Sequence, residues 1–565
     1  MRYYGRRSGI KTFFYILDII RRVFLGIIFW GIIIGVIVAI SGGRAQKIKE
    51  NTVLVLHPSG QIVDSYTYPA ALRGEPGTYL DEMLLDDLIT ALDIAAGDNR
   101  IKALWIQLED FTGAGPAVLS ELSGKIAEFR DRGKIVVASS DSYDNSSYRI
   151  ASEADFITVD RLGEVFPVGY SSLRAYFSKG LEKLGADVQL FRSGESKSAA
   201  ENFIRQNMSD TARADTLRLL DDLWNNWLVN TAVNRDMKKE DLSDWINNYD
   251  KFLEKTGGNS AASALNAGLV DAVDTGNAAE SFLKQHFGED YFTAGIYDYL
   301  HRTYHKKYGG SVIAVVPVNG ELVYGEGSGG KIGSSEIIDA LETAENTPGV
   351  KAFVLRINSP GGDVRSGEAV RRKIEEIRKN YPVVVSMGNL AASGGYWIAC
   401  ESDYIYTQQE TITGSIGVYS LSVTFEKALD KWLGISIDGV GTTPWSGLYN
   451  PGVALDERSA SIYRQSIKDI DTMFKKLVAE KRDLDFSAVN KLAGGIPWSG
   501  RRAVDLGLAD SFGTLNDACS KAAEIAGTET WTKEFFERKV DPREELISKI
   551  IYGNSGFSNL FKVLR

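Results

Sequence analysis

The sequence predicts an α/β chain: two duplicated domains, each a largely parallel sheet covered by helices, behind one N-terminal transmembrane helix. Three observations predict it. Residues 23–40 (VFLGIIFWGIIIGVIVAI) form an uncharged run of 18 residues. A long internal repeat relates the two halves of the remaining chain. Within each half, short β-branched apolar runs alternate with segments of helical periodicity.

At 1.5 Å per residue, a helix over 23–40 spans most of a ~30 Å hydrocarbon core. Six basic residues precede it (Arg2, Arg6, Arg7, Lys11, Arg21, Arg22) and three follow closely (Arg44, Lys47, Lys49). That excess favours an inside N-terminus, with everything after residue 45 outside. A cleaved signal peptide is the competing reading. The run exceeds the ~7–15 residues of a signal-peptide core, and Ser41-Gly-Gly-Arg44 is a poor cleavage site. A retained anchor is therefore expected over 1–45, meeting membrane lipid through 23–40.

The repeat is read from aligned strings. Lys102-Ala-Leu-Trp-Ile-Gln-Leu recurs as Lys351-Ala-Phe-Val-Leu-Arg-Ile, and Ile135-Val-Val-Ala as Val383-Val-Val-Ser. Tyr148-Arg-Ile-Ala recurs as Tyr396-Trp-Ile-Ala, Asp155 as Asp403, and Ala267-Gly-Leu-Val-Asp271 as Leu506-Gly-Leu-Ala-Asp510. A period near 250 is far too long for a solenoid and implies duplication of a whole domain. The expected units are 50–300 and 311–537, joined by a polar stretch near 302–311, with an amphipathic tail over 538–565. In the second unit, strands are expected at 313–318, 352–357, 383–386 and 404–406, and helices at 335–345 and 367–379. Strands alternating with helices imply a mostly parallel sheet.

Composition narrows the function. Lys+Arg 64 against Asp+Glu 74 gives a net charge of -10, which argues against an electrostatic nucleic-acid binder. Two cysteines and four histidines (57, 286, 301, 305) supply no Cys-based zinc site, disulfide framework or H-E-x-x-H pattern. An enzyme of this composition is expected to use a base other than histidine, with no cofactor and no metal.

Three strings carry chemistry. Ser386-Met-Gly-Asn-Leu-Ala-Ala-Ser393-Gly-Gly-Tyr-Trp leads from an expected strand into a helical stretch. Ser393 would sit at a helix N-terminus, where free N–H groups favour developing negative charge; alone, the string reads equally as an N-cap with glycines for close packing. Asn358-Ser-Pro-Gly-Gly362 closes another strand. By itself it is an ordinary turn, but beside Ser393 it is a candidate second half of an oxyanion hole. Lys197, within Gly194-Glu-Ser-Lys197-Ser-Ala, lies among small residues. A solvated lysine is a poor base, because neutrality at pH 7 costs about 4.6 kcal/mol from its reference pKa; burial away from carboxylates removes that barrier.

The halves differ in a complementary way. The first has Asn145 where the second has Ser393, and Asp110-Phe-Thr-Gly113 where the second has Ser359-Pro-Gly-Gly362. The second has about Ser446 where the first has Lys197. The expected site is composite, with the base from one half and the nucleophile from the other.

On these strings, together with Thr413-Gly-Ser415-Ile-Gly-Val and the anchor, residues ~50–535 resemble the long, two-repeat form of the signal peptide peptidase A family, membrane-bound serine/lysine proteases. The resemblance implies Clp-protease/crotonase-type domains. It implies Ser393 as nucleophile, Lys197 as general base, Gly394 and Gly362 as oxyanion donors, and Ser415 orienting the amine. It also implies apolar peptide substrates such as remnant signal peptides and a dome-shaped homo-oligomer, a tetramer. The location would be the bacterial inner membrane, single-pass, with the catalytic domains extracytoplasmic. Glu195, which would raise the lysine pKa if it faced inward, is expected to face out.

Other features read as structural. Gly325-Glu-Gly-Ser-Gly-Gly-Lys331 nearly spells a P-loop, but Ile332 replaces its Ser/Thr. His301 and His305 lack a third ligand, Asp141 and Asp144 read as a solvated turn, and Cys400 and Cys519 as packing. Two alternatives remain open at this level: a crotonase-like acyl-CoA enzyme, disfavoured by an extracytoplasmic location, and a non-catalytic membrane-tethered scaffold.

Overall fold

The computed structural model describes residues 47–66, 81–274, 277–304, 310–328 and 330–537, with positions 15, 21, 22, 24–26, 29 and 30 near the N-terminus. Most of the expected anchor at 23–40, the tail at 538–565 and His305 lie outside the described residues. Among the described residues, no helix is long and apolar enough to cross a membrane. The chain divides into two units, Met1–Lys49 and Glu50–Arg565.

The larger unit is α/β and carries two main sheets. The first runs Phe292–Gly295, Thr52–Leu56, Ile101–Gln107, Ile135–Ser140, Phe156–Asp160, Ala272–Asp274, all parallel. The second repeats that order with Trp531–Phe535, Ser311–Asn319, Val350–Ser359, Val383–Ala392, Tyr404–Thr407 and Ser511–Phe512. Val, Ile and Ala fill these strands almost without alternation because helices cover both faces: Ala314, Val316, Phe353 and Leu355 pack toward Ile337, Val370 and Ile374, while Ile313, Val315 and Val354 pack toward Ala518 and Ala522.

Aligned residues make the same bonds in both halves. Tyr148 Oη donates to Leu269 O at 2.6 Å, and Tyr396 Oη to Leu508 O at 2.8 Å. Asp155 accepts from Val136 N as Asp403 does from Val383 N, one position out of register with the aligned strings. Asp271 accepts from Ile157 N and pairs with Arg235; Asp510 accepts from Ile405 N and pairs with Arg482. The duplication is thus one of polar bonds as well as of sequence, with both tyrosine bonds buried.

The second sheet has an addition. Its strand Val383–Ala392 is ten residues long, against the six of Ile135–Ser140, and well beyond the 383–386 expected from sequence. The extra length pairs Leu390–Ala392 with Ile412–Gly414, which in turn pairs antiparallel with Pro497–Ser499. Thr411 and Thr413 hydroxyls donate to Gly388 O and Ala391 O, locking the extension. The helices expected at 335–345 and 367–379 are found at Ser334–Glu345 and Val364–Ile377.

The halves are joined by buried polar contacts and a ribbon. Arg356 pairs with Asp64 and, at 3.2 Å, with Glu121, and donates to Ser386 Oγ at 2.8 Å. Asp187–Arg192 pairs antiparallel with Tyr419–Thr424, Arg192 opposite Tyr419. Asn389 Oδ1 accepts from Ala117 N (3.0 Å) and Val118 N (3.2 Å), capping the helix Pro116–Asp131, whose own N-cap is Gly115. A Cβ at Gly115 would lie 2.2 Å from Asn389 Cγ, so the glycine makes room for a cap supplied by the other half. Loss of a helix cap costs about 0.5–2 kcal/mol. Asn389→Ala is expected to lower unfolding stability by that amount, read as a lower urea midpoint at unchanged m-value; an unchanged midpoint refutes the cap.

Candidate functional site

Ser393 ends the extended strand and begins the short helix Gly394–Ala399. It holds φ 55, ψ -117, an uncommon conformation for a non-glycine residue, and such strain costs on the order of 1–3 kcal/mol. Its N–H donates to Gly414 O at 2.8 Å. The turn Pro360-Gly361-Gly362 lies against it: a Cβ on Gly361 would come within 2.4 Å of Gly394 N and 2.8 Å of Ser393 Cβ. Gly361 is therefore required where these two backbones touch.

Two N–H groups are left for the cleft by the backbone pattern. Gly394 is the first helical residue, and that position has no intrahelical acceptor. Gly362 (φ 153) faces Leu322 across an isolated parallel bridge, where Leu322 N donates to Gly361 O and Asp363 N to Leu322 O. In such a bridge the flanking residues make the bonds, so the Gly362 N–H points away from Leu322. Gly362 N lies close to Gly394, whose Cβ position would be 3.2 Å from it.

Lys197 follows the ribbon strand Asp187–Arg192. Ser193 fastens the turn between them: its N–H donates to Val418 O at 2.9 Å and its hydroxyl accepts from Val418 N at 2.8 Å. Lys197 is 4% exposed, and its Nζ stands 3.0 Å from Ser393 Oγ, 2.8 Å from Ser415 O and 3.0 Å from Ser415 Oγ. Burial lowers its pKa to about 8; the Asp471 carboxylate, itself paired with Lys475, works weakly in the other direction. Ser415 holds φ 49, and its N–H donates to Ile496 O at 2.8 Å.

Thus five residues singled out by sequence (Lys197, Ser393, Gly394, Gly362, Ser415) meet in one place, drawn from both halves. Glu195 is exposed and accepts from the Thr211 hydroxyl, away from the amine. Ser446, the aligned counterpart of Lys197, is exposed. The first-half counterpart of Ser393 is filled rather than reactive. Asn145 Nδ2 donates to Gly169 O at 2.7 Å and its Oδ1 accepts from Gly169 N, while Asp144 accepts from Ser146 N and Ser147 N and plugs the helix start. Asp141 stays exposed.

Among the described residues of the P-loop-like string, N–H groups and the lysine are taken by carboxylates. Glu336 takes the N–H groups of Gly327 and Gly333, and Lys331 pairs with Glu321. Cys400 and Cys519 are buried in the two cores, where burial raises both thiols to about 12. His301 is exposed.

Residues that sequence reading passed over are Asn389 as a cap and Gly494-Gly495. The latter reads as a plain turn, and nothing in the string ties it to a lysine almost 300 positions earlier.

Comparison with known proteins gives a consistent match. Peptidase family S49 matches residues 128–288 and 375–529, one stretch in each half. Protease 4 of Salmonella typhi is 33% identical over 538 residues, 92% of this chain and 86% of that protein. Protease 4 of Haemophilus influenzae is 33% identical over 563 residues, 95% and 90%. The chloroplastic serine protease SPPA of Arabidopsis thaliana is 25% identical over 497 residues, 85% and 70%. Among solved structures, a ClpP1 mutant from Listeria monocytogenes covers 36% of this chain and 94% of its own, at 15% identity and a TM-score of 0.26, too low for the likeness to carry an argument.

Proposed function

As the chain belongs to peptidase family S49 and is a serine protease, we propose that it is a membrane-anchored endopeptidase that degrades cleaved signal peptides and other apolar peptides on the extracytoplasmic side, using Ser393 as nucleophile and Lys197 as general base. The observation that supports this most is the buried Lys197 amine 3.0 Å from the Ser393 hydroxyl.

The neutral amine takes the hydroxyl proton as Ser393 Oγ attacks the scissile carbonyl carbon. The carbonyl oxygen, now negative, accepts from the N–H groups of Gly394 and Gly362. Lys197 passes its proton to the leaving amine, the C–N bond breaks and an acyl-enzyme remains. Water then gives a proton to Lys197 as its oxygen attacks the ester carbonyl; the C–Oγ bond breaks, and Lys197 returns that proton to Ser393 Oγ, which restores the hydroxyl and the neutral amine. Ser415 holds the amine in place throughout. Depressed basicity suits this role, because a base works best with a pKa near the operating pH.

The remaining parts of the reading rest on sequence. Anchoring belongs to residues 23–40, each half has the Clp-protease/crotonase type of fold, and the protease assembles as a homo-oligomer, a tetramer, at the bacterial inner membrane. The parallel sheets support the fold reading, and the uncharged run supports the anchor.

A serine-reactive fluorophosphonate tests the nucleophile, with the adduct mapped by peptide mass. The expected result is one adduct, on Ser393; no adduct on folded protein, or one on another serine, overturns the assignment. For the substrate class, a synthetic signal peptide is expected to be cut at least tenfold faster than a charged peptide of equal length. Equal rates overturn it.

A further inference from the structure

The Lys197 amine has three close oxygens and must carry a lone pair toward one of them. A neutral amine offers two N–H donors and one lone pair. Ser415 O can only accept, so one N–H is committed there at 2.8 Å. The Ser415 hydroxyl is ambiguous until its own proton has a destination. That destination is Gly495 O, at a long 3.4 Å. With the hydroxyl proton turned there, Ser415 Oγ accepts the second N–H, and the lone pair is left for the Ser393 hydroxyl.

Gly495 also sits against the lysine backbone. Its φ is +91, and a Cβ on it would lie 2.5 Å from Lys197 Cα and 2.6 Å from Lys197 N and Cβ. Its N–H donates to Ile416 O at 2.8 Å, beside the Ser415 N–H to Ile496 O bond. On the facing side, Gly194 (φ +81) would place a Cβ 2.6 Å from Gly494 Cα and O. A turn of the second half and the base-bearing loop of the first half therefore touch backbone to backbone, with no side chain between them.

We infer that Gly495 is a positioning residue for catalysis: it sets how deeply the Lys197 backbone seats against the second half, and its carbonyl orients Ser415 so that the amine lone pair faces Ser393. The inference rests on the Ser393–Lys197 reading. Gly494 and Gly194 complete the same contact. Any side chain at 495 must push the Lys197 loop outward, which lengthens the amine–hydroxyl distance and admits water to the amine.

The test is Gly495→Ala in the full-length protein, with Gly194→Ala as a second variant on the facing loop. Gly434→Ala is the control, because Gly434 also has positive φ (+62) but nothing within 4 Å of its Cβ position. Each is assayed for kcat and KM on an apolar peptide across pH 6–10. For Gly495→Ala, kcat at pH 7 is expected to fall at least tenfold with KM changed less than twofold. The acid limb of its profile is expected to move up by at least half a pH unit, as the amine gains water. Gly194→Ala is expected to change in the same direction, and Gly434→Ala to match wild type. Wild-type kcat and pH profile in folded Gly495→Ala overturn the inference, as does failure of both clasp variants to fold, since the contact then serves the fold and not the amine. Lys197→Met, assayed alongside, separates the two claims. If it is active, the dyad reading falls; if it is inactive while Gly495→Ala behaves as wild type, only the role of Gly495 falls.

Discussion

Ser393→Ala is expected to lower kcat for peptide hydrolysis by about 10⁴-fold or more, the scale seen when a nucleophile is removed from a group that acts as a unit. Ser393 already carries a Cβ against Gly361, at an unusual φ that alanine would share. The substitution therefore removes only the hydroxyl and its contact with Lys197 Nζ. Folding stability is expected to change by no more than about 3 kcal/mol, the upper worth of one hydrogen bond to a charged group. Active-site titration and steady-state hydrolysis measure the first expectation, and urea unfolding the second. Hydrolysis above a hundredth of wild type in purified Ser393→Ala would sink Ser393 as nucleophile.

Lys197→Met is expected to cost a similar factor, and it carries a pH signature that the serine variant lacks. Wild-type kcat/KM should rise with pH through about 8, because only the neutral amine accepts the hydroxyl proton. Stability follows with a definite sign. The folded lysine has a pKa of about 8 and the unfolded one its ordinary value of 10.5, so between them the unfolded chain binds more protons. Stability from this group therefore rises as pH goes from about 8 to about 10.5. Below about 8 the cost of burying a charged amine is fully present, on the order of 3 kcal/mol. Methionine fills similar space and does not titrate. The stability difference between Lys197→Met and wild type should move in wild type's favour by about that amount between pH 7 and pH 10.5, with other titrations cancelling. Guanidinium midpoints at the two pH values measure it. A difference that does not change with pH means the amine is not desolvated.

How far the site is legible from sequence differs element by element. The strands around 313–318 and 352–357 announce themselves by β-branched runs, and the helices near 335–345 and 367–379 by their period. The duplication shows in aligned strings whose residues, such as Tyr148 and Tyr396, carry the same buried bonds. By contrast Ile412–Gly414 and Pro497–Ser499 are three residues each, too short for any period to show. The extension of Val383–Ala392 past residue 386 depends on that short neighbour, and a small-residue string such as Gly-Asn-Leu-Ala-Ala states no preference by itself. Asn389 reads as part of a motif, yet its bonds go to a helix start some 270 positions earlier.

Residue type and order alone establish the α/β class, the duplication, and the uneven distribution of chemistry between the halves: a serine with glycines in one, a lysine among small residues in the other. Local propensity and alignment can read such properties directly. Folding is what leaves the lysine 4% exposed, lowers its pKa to about 8, and brings its amine 3.0 Å from the serine hydroxyl. Desolvation and bond direction are set by whatever packs around a group. Here that is a ribbon between Asp187–Arg192 and Tyr419–Thr424 and a glycine pair at 494–495, contacts made across hundreds of residues and visible only once the chain has closed on itself.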